Sequence, residues 1–232
     1  MTPGLSGKTK LAMVLMGYVP LLHGGGAVAL VALLPGWWRL TSLAWLLVLP
    51  AVVVRVSQAA RPVPVESAVG GSGGGFLRWW WQAQWQVVFN RLPFIEEVVR
   101  LVPGLYVVWL RLWGSRVGRL VYWTPGLRVL DRQFLILGDG VTFGAGVSLN
   151  PHVIGPHPVT GEPTLLVAPV RVGDGASVGG QSTLLPGCHV GPGESSPPRI
   201  ALRPFTSFIN GRRVAPDAAN APAAAGNARE AA

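Results

Sequence analysis

The 232-residue sequence holds a single cysteine, Cys188, so no intramolecular disulfide can form. That fits a reducing compartment. Charge is also scarce: 12% of residues are charged while 50% are hydrophobic, against roughly 25% charged in ordinary soluble domains. The apolar surface exceeds what one soluble core takes up, and a membrane is the simplest place for the excess. Acidic residues are scarcest, 10 against 19 Lys and Arg, for a net charge of +9. A basic balance suits nucleic acid or an anionic membrane surface. Between Arg55 and Arg132 the arginines interleave with Trp and Leu, and no nucleic-acid motif occurs, which favours the membrane and excludes a nucleic-acid partner. An arginine-biased genome is the plain explanation for part of the excess. The chain also lacks a P-loop, a dinucleotide fingerprint and any metal-ligand spacing, so no metal is expected. Gly and Pro are plentiful, but they sit among Val and Leu, which argues against wholesale disorder.

What is present begins with two apolar runs. Leu11–Pro35 is almost entirely apolar, interrupted by His23 and Gly24–Gly26; it is long enough to span a bilayer and long for a signal peptide. Leu40–Val54 follows, flanked by Arg39 and Arg55, with Trp37 and Trp38 as an interfacial belt. Residues 1–56 therefore read as a transmembrane helical hairpin, or as one span plus a buried helix. Lys8 and Lys10 before it, and Arg55, Arg61 and Arg78 after it, place both termini on the cytoplasmic side of the inner membrane. Residues 57–75 have linker composition. Residues 76–114 open with Trp79, Trp80, Trp81 and Trp85 among Arg78 and Arg91. They read as helices lying in the membrane interface, apolar side down, or as ordinary core helices. Residues 214–232 are Ala-rich and are expected to be a disordered tail.

Between residues 115 and 213 the texture changes to a period of six. Val172, Val178, Leu184 and Val190 form one run, Leu137, Phe143 and Leu149 a second, and Val117, Trp123, Val129 and Leu135 a third. Neither the helical repeat of 3.6 nor the strand repeat of 2 yields six; hexapeptide repeats are the signature of a β-helix. Three six-residue sides make one triangular turn, with the aliphatic residue of each side pointing inward. Gly or a small residue takes the corner, and Asp139-Gly140 and Asp174-Gly175 supply turn chemistry. The phase slips by two between Leu135 and Leu137, which predicts an altered corner. It is lost between Leu149 and Val172, which predicts an extruded loop at about 155–167. After Val190 the hexads dissolve into "ESSPPRIALRPFTSFINGRR".

With its stretches "GDGVTFGAGVSLNPHVI" and "APVRVGDGASVGGQSTLLPGCHVGPG", the region 115–195 resembles the hexapeptide-repeat acyltransferases. More loosely, its combination with membrane segments and "VYWTPGL" is similar to the terminal membrane region of some nonribosomal peptide synthetases. The acyltransferase resemblance implies a mainly β fold, a left-handed parallel β-helix solenoid behind the helical hairpin and interfacial helices. It implies a homotrimer, acetyl-CoA or another acyl thioester as co-substrate, and a single His near the loop as general base for transfer to a membrane-associated or small-molecule acceptor. By its spacing from the restart of the repeat, His152 is the first candidate and His157, in the loop, the second. Asp131 falls diagonal to His152 one turn below and is the candidate orienter. Asn150 is the candidate substrate contact; Gly179, Gly180 and Ser182 are candidates for cofactor binding. His23 is read as neutral and packed between helices, His189 as pointing to solvent or a neighbouring subunit, and Cys188 as a small filler. The alternative reading is a membrane-tethered, non-catalytic scaffold or partner-binding module.

Overall fold

The computed structural model describes residues 5–69, 73–157 and 159–215; most of the expected tail lies outside the described residues. The N-terminal half is helical: α1 (Gly7–Met16), α2 (Val19–Leu33), a 3₁₀ turn, α3 (Thr41–Leu43), a π-helical turn (Ala44–Val48), α4 (Leu49–Ala60), α5 (Gly75–Gln84), α6 (Val87–Arg91), α7 (Phe94–Arg100) and α8 (Leu105–Trp113). Two continuous helical stretches, Gly7–Leu33 and Gly36–Ala60, are long and apolar enough to cross a membrane. Most of their Leu and Val side chains are exposed, among them Leu11, Leu15, Leu21, Leu22 and Leu33. The second stretch is not free along its whole length. Ala51 and Val54 are buried in the same core as Leu110 and Trp113, and the Trp109 indole donates to the Leu47 carbonyl at 2.8 Å.

The C-terminal half is strand. The chain forms β1 (Glu66–Ala68), then β2 (Arg116–Val117), β3 (Tyr122–Trp123), β4 (Arg128–Val129), β5 (Leu135–Leu137), β6 (Thr142–Phe143) and β7 (Ser148–Leu149). After β8 (His152–Pro156) and β9 (Pro163–Val167) come β10 (Val170–Val172), β11 (Ser177–Val178), β12 (Thr183–Leu184), β13 (His189–Val190), β14 (Ser195–Ser196), β15 (Ala201–Leu202), β16 (Ser207–Ile209) and β17 (Arg212–Val214). The chain visits three sheets in the same order on every pass: β2-β5-β10-β13-β16, β3-β6-β11-β14 and β4-β7-β12-β15. All pairs within those series are parallel.

Register explains the period of six. Val172 stacks on Val190 and Val190 on Phe208, so a full pass takes 18 residues. Every one of these inward side chains is buried, and each contributes roughly 1.5–3 kcal/mol by leaving water. The glycine after the aliphatic residue has a steric reason: a Cβ on Gly173 would come within 2.5 Å of the Pro192 nitrogen one pass above. Gly175 turns the corner at φ +66°, where side chains other than glycine are strained.

Three sequence expectations are corrected. The repeat does not dissolve after Val190, because Ser196, Leu202 and Phe208 continue it, stacked on Val178, Leu184 and Val190. Ser196 hides the rhythm: an inward hydroxyl, accepting from the Gly179 N–H at 3.2 Å, stands where an aliphatic residue was sought. The extruded segment is an antiparallel hairpin, β8 paired with β9 from His152↔Val167 to Pro156↔Pro163. Part of the stretch of linker composition joins it: β1 pairs with β9 from Glu66↔Leu166 to Ala68↔Thr164. The Thr, Leu and Val of β9 suit a central strand, and β1 and β8 cover its two edges.

The two-residue phase slip becomes an enlarged corner. Val117 pairs with Leu137, Trp123 with Phe143 and Val129 with Leu149, each 20 residues on rather than 18. The surplus lies in Leu130–Phe134, where Asp131, Arg132 and Gln133 are all buried. At the same end of the strand stack, α8 packs on the first pass: the Tyr106 ring meets Trp123 edge-on at 4.9 Å, and Leu110 and Trp113 share the core of Val117. Such covering of a terminal repeat is what stacked-repeat architectures need.

Candidate functional site

The enlarged corner and the base of the hairpin bring two of the nominated residues together. His152 opens β8, and its Nδ1 meets Asp131 Oδ2 in a very short hydrogen-bonded ion-pair contact. The Asp131 side chain is 2% exposed and that of His152 22% exposed. Backbone bonds hold the frame: Phe134 N–H donates to the Asp131 carbonyl and Ala168 N–H to the Pro151 carbonyl, both at 3.0 Å. The Ser115 hydroxyl donates to the Arg132 carbonyl at 2.5 Å and accepts from Leu135 N–H at 2.9 Å. A corner two residues too long is thereby made rigid.

The second oxygen of Asp131 is occupied as well. Trp79 Nε1 donates to Asp131 Oδ1 at 2.9 Å, and the Trp79 ring lies 4.7 Å, centroid to centroid, from the His152 ring. Trp79 sits on α5, read from the sequence as a helix lying apolar side down on a membrane or as an ordinary core helix. Here its buried face is turned to protein: Trp79 is 5% exposed, and Gln82 and Gln86 are also buried. Gln82 accepts from Gln133 Nε2 at 3.1 Å, and Gln86 donates to Gln133 at 3.0 Å. The sequence signal for this docking was the spacing of Trp79, Gln82 and Gln86, which places two amides on the tryptophan's own helical face; lipid offers amides nothing to bond.

The electrostatics set the state of His152. Burial disfavours its imidazolium, but the charge and hydrogen bond of Asp131 outweigh burial, and its pKa is raised above the ordinary 6.5. In the neutral ring the contact with Asp131 keeps the proton on Nδ1. Nε2, which has no hydrogen-bond partner among the described residues, is left as a free base.

The other nominated residues lie elsewhere. His157, at the hairpin tip, pairs through Nε2 with Glu66 at 3.1 Å, while its Nδ1 accepts from the N–H groups of Val159 and Thr160 at 3.2 Å. Nε2 thus joins the hairpin tip to β1, and Nδ1 braces the tip itself. Gly179, Gly180 and Ser182 occupy the turn between β11 and β12, which joins a different pair of sheets from the turns that hold Asp131 and His152. Ser182, nominated for a cofactor, is fully buried; its hydroxyl donates to the Gly179 carbonyl at 2.6 Å and accepts from Ile200 N–H at 3.2 Å. Gly179 likewise is packed under the next pass, where a Cβ would lie 2.4 Å from the Pro198 nitrogen. His189 is half-buried on β13, its pKa lowered by burial and by the nearby Arg171. Cys188 is fully buried, its thiol pushed up to about 12 by burial, so it is a filler and not a nucleophile. His23 is buried between the apolar helices, its Nε2 3.0 Å from the Leu46 carbonyl.

Asn150, two residues before His152, lines a cavity of about 310 Å³ between the strands and α6–α7. Sequence reasoning missed the core of its wall, a buried ionic cluster. Arg132, 1% exposed, bonds Glu96 through Nε at 3.0 Å, Gln86 at 3.1 Å and Asn90 at 3.0 Å. The other Glu96 oxygen accepts from Arg100 at 3.0 Å and from the Tyr106 hydroxyl. A buried pair this thoroughly hydrogen-bonded offsets the cost of its own desolvation.

No family model matches the chain, and no curated protein matches it. Among solved structures the chain is similar to a hexapeptide-repeat acetyltransferase of Vibrio cholerae in complex with acetyl coenzyme A. Identity is 18% over 40% of this chain and 54% of that one, with a TM-score of 0.32. It is also similar to a maltose O-acetyltransferase of Clostridium difficile, with 15% identity over 53% of this chain and 82% of that chain and a TM-score of 0.30. A third is the soybean serine acetyltransferase complexed with serine, with 16% identity over 88% of this chain and 70% of that chain and a TM-score of 0.26.

Proposed function

We propose that the chain is an acyltransferase that moves an acyl group from a thioester such as acetyl-CoA to a hydroxyl or amine of a membrane-associated or small-molecule acceptor. One observation carries the reading: a partly exposed His152 with Nδ1 on a buried carboxylate and Nε2 left open among the described residues, the arrangement of an oriented general base. His152 Nε2 takes the proton of the acceptor as that group attacks the thioester carbonyl, and returns it to the departing sulfur. Asp131 holds the ring in the productive tautomer and steadies the imidazolium, and backbone N–H groups receive the developing oxyanion. Trp79 fixes the carboxylate from its other side and is a positioning residue.

The winding is read as a left-handed β-helix, on the strength of the hexapeptide resemblance and the three parallel sheets. The same resemblance supports a trimer. The two apolar helical stretches are read as an anchor in the inner membrane, with the strands on the cytoplasmic face and membrane lipids as neighbours; their length and exposed Leu side chains support this. The test is transfer of labelled acetyl from acetyl-CoA to a membrane extract by the full chain and by His152→Ala. The reading expects transfer by the former and a loss of roughly 10²–10⁴-fold in the latter. Equal rates would remove His152 from the mechanism.

A further inference from the structure

We infer that the cavity beside the enlarged corner binds the oxyanion of a small acid, a carboxylate or a phosphate, and so holds an acidic acceptor next to His152. The hydrogen-bond accounting of its wall points there. Each side-chain carboxylate and amide oxygen of the wall already accepts a bond. Both Glu96 oxygens are taken, by Arg132 on one side and by Arg100 and Tyr106 on the other. Asn90 Oδ1 accepts from Arg132 at 3.0 Å, and Asn150 Oδ1 accepts from the Ser148 hydroxyl at 2.8 Å.

The donors, by contrast, are open. The amide nitrogens of Asn90 and Asn150 and the whole guanidinium of Arg128 have no partner among the described residues, and all three side chains line the cavity. Acceptors that are consumed and donors that are free select a ligand rich in acceptors. The charge agrees: Glu96 is matched by Arg132, Glu97 pairs with Arg100 at 2.9 Å, and Arg128 has no ion-pair partner among the described residues. A neutral polyol offers as many donors as acceptors and gains less here than a carboxylate or phosphate, whose oxygens accept charge-assisted bonds from Arg and amides. The cavity, about 310 Å³, has the size of a small metabolite site. Neither His152 nor Asp131 lines the cavity, but it adjoins their corner along the chain: Asn150 precedes His152 by two residues and Arg132 follows Asp131 directly.

Calling this anion the acceptor rests on the acyl-transfer reading, so binding is measured without any acyl donor. The probes are citrate, inorganic phosphate and glucose, titrated calorimetrically into the full chain in detergent at low salt. Saturable binding of citrate or phosphate with none of glucose is expected, and the tighter of the two identifies the oxyanion. Arg128→Gln is expected to weaken it about tenfold or more, with Arg128→Lys weakened less. Arg128 is exposed, and circular dichroism checks that its variants fold; Asn150→Asp, which adds a negative charge to the wall, is an independent second variant expected to lower the affinity. Glucose binding as tight as citrate, no saturable anion binding, or affinity unchanged in both Arg128→Gln and Asn150→Asp would overturn the inference. Anion binding that stays intact while His152→Ala leaves acetyl transfer unchanged overturns the catalytic reading alone.

Discussion

The pass from Val172 to Val190 and the corner from Leu130 to Phe134 belong to the same winding, yet they bury opposite kinds of side chain. The regular pass stacks mostly aliphatic residues, and its polar atoms are bonded among its own strands and turns, as Ser182 shows. The enlarged corner buries a carboxylate, a guanidinium and an amide, and each is bonded outward to the helices, through Trp79, Glu96 and Gln86. The inward column of a strict repeat leaves little room for a functional group, because a polar residue there must find its partner within the column, as Ser196 does with Gly179. Two surplus residues and one hairpin relieve that constraint at a single place. There the chain has a carboxylate and an imidazole in contact.

This contrast can be broken from either side. The largest effect is expected at the irregular side: His152→Ala should lower acetyl transfer by roughly 10²–10⁴-fold while thermal unfolding in detergent shifts little. On the regular side Leu184→Ala should do the reverse. Its inward, fully buried side chain predicts a loss of about 2–5 kcal/mol in unfolding free energy, and the pH profile of whatever activity survives should stay in place. Trp79→Phe is intermediate. It keeps the ring and removes the N–H that neutralises Asp131 Oδ1, so the rate should fall about tenfold, the worth of one hydrogen bond to a charged group. The acid limb of the pH–rate profile should move up, because an unshared carboxylate holds the His152 proton more tightly. The smallest effect is expected of Ser196→Ala. It removes one buried hydroxyl that accepts from Gly179, and about 0.5–1.5 kcal/mol of stability goes with it; denaturant titration would show the shift.

The same contrast explains what the sequence disclosed. The inward column was legible from Val117 to Val190, because an aliphatic residue every six positions is a steric requirement written into composition. Ser196 concealed its continuation, since one small polar residue in that column is tolerated when a neighbouring N–H takes its oxygen. Asp131 and His152 were legible as a candidate pair, because counting positions through the two-residue slip places them on neighbouring passes. Trp79 was not: its partner lies 52 residues away, and a cluster of tryptophans among arginines carries the same local pattern whether it meets lipid or protein. Its two companion glutamines, buried beside it, were the overlooked sign. Glu66–Ala68 could not be read as a strand from three residues amid Pro and Gly; the exposed edge of β9 supplied the order.

The most direct test of the central claim is the pH dependence of acetyl transfer by the full chain and by Asp131→Asn. A base acts when neutral, so the rate rises with pH through the pKa of His152. With Asp131 present that pKa is raised, and the acid limb should lie above the ordinary histidine value near 6.5. Asp131→Asn removes both influences that raise it and leaves burial, which lowers it; the limb should fall below that value, with a reduced plateau. A limb that stays in the same place in Asp131→Asn would contradict the account, because His152 would then not be the group whose proton governs the reaction.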